Sequence, residues 1–167
     1  MYHYEVSGDN TILRYVDADW GSDVNDCKST SGYAFTLAGG AISWSSKNQS
    51  AVTLSSTEAE YIAGTHTAKE AIWLGRLFAG LQQPSSFPIP LHIDNQSVIA
   101  IMKNPEFYNC TKHINIHYHF LRHKVKSGKI TLDYLSTNDQ PADVLTKGLA
   151  WEKHERFAKE LGLHHAD

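Results

Sequence analysis

Ser55-Ser56-Thr57-Glu58-Ala59-Glu60-Tyr61-Ile62-Ala63 is the stretch on which the fold turns. Ser55 followed three residues later by Glu58 has the pattern of a capping box, in which a hydroxyl and a carboxylate satisfy free backbone N–H groups where a helix begins. The helical pattern runs on to about Leu81, and Gln82-Gln83-Pro84 ends it. At about 100° per residue, Glu60 shares a face with Ala63, Gly64, Thr67, Ala71, Leu74 and Phe78. That face is small near Glu60 and apolar beyond it, as suits a helix lying close on a sheet. Glu58 falls about 160° away around the same helix and is left to the cap or to solvent. An acid on a packing face is costly unless a cation meets it, so Glu60 is the residue that needs an explanation.

Upstream, Thr11 to Asp17 reads as a strand with Leu13, Tyr15 and Asp17 on one face. Residues 20–31 read as a polar loop. Gly32 to Ala38 and Ala41 to Ser46 form two strands joined around Gly39-Gly40, a hairpin signal. Downstream, Pro90 to Asp94 is a short strand and 95–103 a helix that Asn104-Pro105 breaks. Residues 111–127 read as a third helix stopped by Gly128, and 129–135 alternate as a strand. Pro141 suits the first position of a helix over 141–147, which continues or restarts at 151–161. Three strands, a long helix, a strand, helices, a strand and a last helix predict an α/β fold, a mixed five-stranded sheet with helices packed on it. Tyr2, Tyr4 and Val6 alternate, so residues 1–10 are expected to be an arm or edge strand beside a single domain spanning 1–167.

The chain has 167 residues, 41% hydrophobic and 20% charged, enough to bury a core. It holds no apolar run long enough for a membrane span, and its first residues do not read as a signal peptide. Cys27 and Cys110 lack metal or disulfide spacing, which favours a reducing compartment. The net charge of -3 hides an asymmetry: residues 1–26 hold six acids and one base, whereas 103–129 hold six bases and one acid. Such a distribution fits an acidic metal site beside a basic handle for a polyanion, with Arg122, Lys124 and Lys126 on its phosphate-facing side. Ordinary scatter of surface charge is the plain alternative.

Four acids fall at or near the ends of these elements: Asp17, Glu60, Asp94 and Asp143. Converging at a sheet edge, they would offer oxygen-only ligands, which suit hard cations such as Mg²⁺ or Mn²⁺. Several carboxylates around two such ions make a phosphoryl-transfer site. Taken singly, Asp94 and Asp143 equally suit helix capping, and Asp17 a turn at a strand end. The third helix carries His113, His117, His119 and His123; His113 and His117 share a face with Cys110 just upstream, which makes a zinc site conceivable, but these are three ligands and no fourth is evident.

Tyr15-Val16-Asp17-Ala18-Asp19-Trp20, Ser29-Thr30-Ser31-Gly32-Tyr33, Ile42-Ser43-Trp44-Ser45-Ser46-Lys47, Leu54 to Tyr61, Ile93-Asp94-Asn95-Gln96-Ser97, Thr111-Lys112-His113-Ile114, Tyr118-His119-Phe120 and Ala142-Asp143-Val144-Leu145-Thr146-Lys147 follow one another along nearly the whole chain. This series resembles the ribonuclease H domain of copia-type retrotransposon polyproteins. The resemblance implies a ribonuclease H-like fold, two Mg²⁺ ions with Mn²⁺ as substitute, and hydrolysis of the RNA strand of RNA–DNA hybrids to leave a 3′-hydroxyl and a 5′-phosphate. It implies a catalytic and metal-binding quartet of Asp17, Glu60, Asp94 and Asp143. Asp17 and Asp19 share a strand face, and the family pattern selects Asp17 because its metal acid comes first in this motif. Gln96, Ser56 and Thr57 stand where such enzymes contact their substrate and would meet the 2′-hydroxyl that distinguishes RNA from DNA. Many ribonucleases H carry a His before the last acid; here Ser136-Thr137-Asn138-Asp139-Gln140 has none, which leaves Asp139 or solvent to handle the proton. The implied partners are an RNA–DNA hybrid and an upstream reverse transcriptase domain, with no membrane, in a cytoplasmic virus-like particle or the nucleus. A hybrid-tethering module without turnover and a DNA-processing enzyme of the same fold are the rival readings.

Overall fold

The computed structural model describes residues 12–23, 25–81, 88–103 and 112–164, without the side chains of Lys103, 112–116 and 118. The arm expected over residues 1–10, Cys110 and the His113 side chain lie outside what it describes. Five strands form one mixed sheet: β1 (Leu13–Asp19), β2 (Thr30–Leu37), β3 (Gly40–Asn48), β4 (Ile89–Ile93) and β5 (Ile130–Tyr134), in the order β3-β2-β1-β4-β5. The first three run antiparallel as a meander, and β4 and β5 join parallel. The helices are α1 (Ser56–Gly80), α2 (Gln96–Lys103), α3 (Lys112–Lys126) and α4 (Trp151–Glu160).

Helix α1 begins as its sequence requires. The Ser55 hydroxyl accepts from the Glu58 N–H at 3.2 Å, and the Glu58 carboxylate reaches back to the Leu54 N–H. Ala59 to Thr65, Thr67, Ala68, Ala71, Ile72, Leu74 and Gly75 are buried, with Phe78 partly so, as the face through Glu60 predicts. The small side chains permit a close crossing with α3: a Cβ on Gly64 would lie 3.1 Å from Leu121 Cδ2. Val16, Phe35, Leu91, Ile93, Ile130 and Leu121 complete the core against α1. Burying a side chain such as Leu121 fully contributes roughly 1.5–3 kcal/mol.

Several boundaries differ from expectation. Strand β1 continues to Asp19, so Asp17 lies inside the strand rather than at its end. The hairpin turns at Ala38-Gly39, both with positive φ, and Gly40 already belongs to β3. A turn with two positive φ values matches the twist of the strands it joins. The stretch after Pro141 is a tight 3₁₀ turn, Pro141–Leu145, rather than an α-helix, and a second such turn, Thr137–Asp139, precedes it.

The 3₁₀ turn at 141–145 can lie directly on the sheet because Gly32 has no side chain. A Cβ there would come within 2.6 Å of Thr146 Cγ2 and 3.0 Å of Leu145 Cβ. Gly32 is the cross-strand partner of Asp17, so the two present the same face. Gln140, fully buried, donates through Nε2 to the Val16 carbonyl at 2.8 Å and the His92 carbonyl at 3.3 Å. It therefore ties β1 to β4 where their two-pair parallel ladder ends and fixes where the chain enters the turn that carries Asp143.

Candidate active site

Three of the four acids meet. One carboxylate oxygen each from Asp17, Glu60 and Asp94 lies within 4.8 Å of the others. Parallel pairing explains two of them: Val16 is in register with Ile93, so the next residues, Asp17 and Asp94, fall side by side. Glu60 arrives from the first turns of α1, and its Oε1 accepts from the Ala18 N–H at 3.2 Å. Its Oε2 is buried with no hydrogen-bond partner among the described residues. Asp94 is the half-buried member, and the Thr137 hydroxyl donates to its Oδ2 at 2.8 Å.

Asp143 is arranged differently. It is fully buried and each of its oxygens faces an ammonium group: Oδ2 accepts from Lys153 Nζ at 2.8 Å, and Oδ1 is ion-paired to Lys147 Nζ at 3.0 Å without hydrogen-bond alignment. Lys147 Nζ also lies 3.3 Å from Asp17 Oδ2 and 3.4 Å from its Oδ1. The Thr146 hydroxyl donates to Asp17 Oδ2. Among the described residues Asp143 thus neighbours the carboxylate trio through Asp17 and Lys147 and is not one of the mutually close ligand atoms.

The electrostatics follow from this crowding. Burial pushes the Asp17 carboxyl up to about 6; Lys147 and the Thr146 hydroxyl oppose the rise, while Asp143 and Asp94 add to it. Glu60 is raised well above the usual carboxylate range, first by burial and then by Asp17 and Asp94, against the pull of the Ala18 N–H and Lys147. Burial alone would lower the Lys147 ammonium, but Asp17 and Asp143 outweigh it and hold the group protonated. Three carboxylates each offering an oxygen to one point, with the buried Glu60 Oε2 lacking a partner among the described residues, fit a hard divalent cation.

The remaining expected residues divide. Ser56 and Gln96 are exposed and Thr57 half-buried at the starts of α1 and α2. Lys126 is exposed and Lys124 half-buried, its ammonium 5.1 Å from the Phe120 ring centroid. Arg122 corrects the charge-based expectation: at 6% exposure it is packed within the fold and does not display its guanidinium on the phosphate-facing surface. Asp19 is half-buried beside the site, and Asp139 is exposed, with its charge felt at Glu160. His117 packs edge-on to His66 with ring centroids 5.8 Å apart, and no histidine joins a metal-competent group among the described residues. Sequence reasoning missed Thr137, Gln140, Lys147 and Lys153; only Lys147 carried a local signal, its i,i+4 spacing from Asp143.

No family model matches the chain. It is 44% identical over 160 residues to the retrovirus-related Pol polyprotein of transposon TNT 1-94 from Nicotiana tabacum, a match covering 94% of the chain and 12% of that protein. Two such polyproteins from Arabidopsis thaliana, of transposons RE2 and RE1, are 41% and 42% identical over 153 residues, 92% of the chain and 10% of theirs. The chain therefore spans about a tenth of the length of these relatives. Among solved structures, the N-terminal ribonuclease H domain of a Mycobacterium tuberculosis protein superposes with a TM-score of 0.59 at 13% identity, over 90% of this chain and 98% of that one. LC11 ribonuclease H1 in complex with an RNA/DNA hybrid superposes at 0.58 with 14% identity, over 81% and 94%. The fold is that of ribonuclease H.

Proposed function

The chain is homologous to one segment of the retrovirus-related Pol polyproteins of plant transposons and has the ribonuclease H fold; from that premise we propose that it is a divalent-ion-dependent endonuclease cutting the RNA strand of RNA–DNA hybrids. The observation that carries the reading is the convergence of Asp17, Glu60 and Asp94 on one point, with a buried Glu60 oxygen that no donor among the described residues satisfies. Those three residues would hold Mg²⁺, with Mn²⁺ as substitute. A divalent ion bound there supplies a more acidic water and charge stabilisation at the scissile phosphate.

The chain's own residues supply the rest. The Ala18 N–H and the Thr137 hydroxyl fix the Glu60 and Asp94 carboxylates, and Thr146 and Lys147 fix Asp17. Ser56, Thr57 and Gln96 offer hydroxyl and amide groups to the 2′-hydroxyls of the RNA strand. Lys124 and Lys126 offer charge to phosphates along α3. In this reading the segment acts beside a reverse transcriptase domain of the same polyprotein, in a cytoplasmic virus-like particle.

The test is a gel assay on labelled hybrid, duplex DNA and duplex RNA, with Mg²⁺ and Mn²⁺ in turn. Cleavage of the RNA strand of the hybrid alone, lost in Glu60→Gln and Asp94→Asn, is expected. Hybrid binding without cleavage would replace the enzyme by a tethering module, and cutting of duplex DNA would point to a DNA-processing enzyme.

A further inference from the structure

Asp143 was expected to share in binding the ions, yet an ammonium group lies between it and Asp17. Lys147 Nζ sits between Asp17 and Asp143, 3.3 Å from Asp17 Oδ2 and 3.0 Å from Asp143 Oδ1. Backbone geometry holds it there. The Lys147 N–H donates to the Asp143 carbonyl at 3.1 Å, fixing the two residues one turn apart, and Gly32 lets that turn rest on β2 opposite Asp17. The other Asp143 oxygen is taken by Lys153.

We propose that the Lys147 ammonium is this chain's resident cation between Asp17 and Asp143, so that the free protein takes one divalent ion, at Asp17, Glu60 and Asp94, instead of two. The proposal rests on the metal-site reading above and specifies its stoichiometry. Charge balance supports it: with all four carboxylates ionised, as ion binding requires, the two ammonium groups leave two negative charges, which a single divalent ion neutralises. Steric reasoning supports it as well. A second Mg²⁺ would need oxygens at about 2.0–2.1 Å, and Lys147 would have to leave before Asp17 and Asp143 could supply them. Its departure would break the ion pairs it makes with both carboxylates. Lys147 touches no substrate in this account; it is a positioning residue that acts through Asp17 and Asp143.

The test counts ions rather than turnover. Metal-free wild type, Lys147→Met, Lys147→Arg and Glu60→Gln are titrated with Mn²⁺ by calorimetry, and bound Mn²⁺ is counted by electron paramagnetic resonance, with melting curves to establish that each is folded. One ion per chain is expected for wild type and for Lys147→Arg, two for Lys147→Met, and a loss of tenfold or more in affinity for Glu60→Gln. Two ions in wild type, or one in folded Lys147→Met, would overturn the proposal while leaving the metal site standing. If Lys147→Met does not fold, the wild-type count and the same titration of Lys147→Gln decide. No Mn²⁺ binding by wild type, or binding indifferent to Glu60→Gln, would remove the metal site itself and the proposal with it.

Discussion

Replacing Asp17 by Asn should change how stability depends on pH, in a direction opposite to the usual one for a carboxylate. Asp17 is 1% exposed and its carboxyl is raised from 3.8 to about 6. The folded chain therefore keeps a proton that the unfolded chain releases. Well below pH 3.8 both states hold it and Asp17 costs nothing. As pH rises toward 6 the unfolded state gains by ionising and the fold loses stability. A gap of about two pKa units corresponds to roughly 3 kcal/mol, complete above pH 6. In a domain of this size that is roughly 6–12 °C in melting temperature. Glu60 is raised as well and adds to the trend. His66, His92 and His117 are shifted down by burial, so their neutral forms stabilise the fold as pH rises and work against it. The difference between wild type and Asp17→Asn removes that background, because the histidines are common to both. The assay is calorimetric melting of both proteins in chelator from pH 4 to 7.5. Asp17→Asn should gain on wild type by about 2–3 kcal/mol across that range, and saturating Mg²⁺ should narrow the gap by stabilising wild type at neutral pH. A difference profile that is flat, or that moves in favour of wild type as pH rises in chelator, would refute the argument that this carboxylate is destabilised by its surroundings.

Gly32→Ala should cost about 1–3 kcal/mol in denaturant unfolding, because its Cβ would press on Thr146 and Leu145; unchanged or higher stability would mean that the turn does not sit so close. Gln140→Ala should cost at least about 2 kcal/mol by leaving two carbonyls without their donor, and a loss under 0.5 kcal/mol, roughly a neutral surface change, would show that the clamp is not used. Changing Lys124 and Lys126 together to Ala should lower the salt slope of hybrid affinity by up to about 2, near 0.9 per phosphate contact on a B-form duplex, with the melting temperature unmoved. Arg122→Ala should instead lower the melting temperature, since that side chain is buried; an unchanged melt would return it to the surface.

What the sequence made legible was the part governed by local rules. The capping pattern and periodicity of α1 depend on residues within one helix, and they brought Glu60 inward with the correct neighbours. Asp94 was readable because a strand ends and a helix begins there. Arg122 was misread because a charge count along a helix does not say which side packs, and α3 packs the turn holding Leu121 and Arg122 inward. Asp143 was read as an equal member of the acid group because what sets it apart acts across space: Lys153 reaches it from α4, and Lys147, one turn from it in sequence, bridges it to a strand far upstream. The roles of Gly32 and Gln140 were hidden for the same reason, since each is defined by what approaches it from more than a hundred residues away.

The Gln140 clamp also sets an order in time. The carboxylates of Asp17, Glu60 and Asp94 all lie in chain made before residue 95, whereas Gln140, Lys147 and Lys153 come later. At about 5–20 residues per second, the interval between Asp94 and Lys147 leaving the ribosome's catalytic centre is roughly 3–10 s. During it β1, α1 and β4, which bring in the first three acids, have neither their cross-tie nor their counter-charges. A chain built this way is finished from its C-terminal side: translation through the Asp143 turn, and not the appearance of the first three acids, completes the set of contacts around the site.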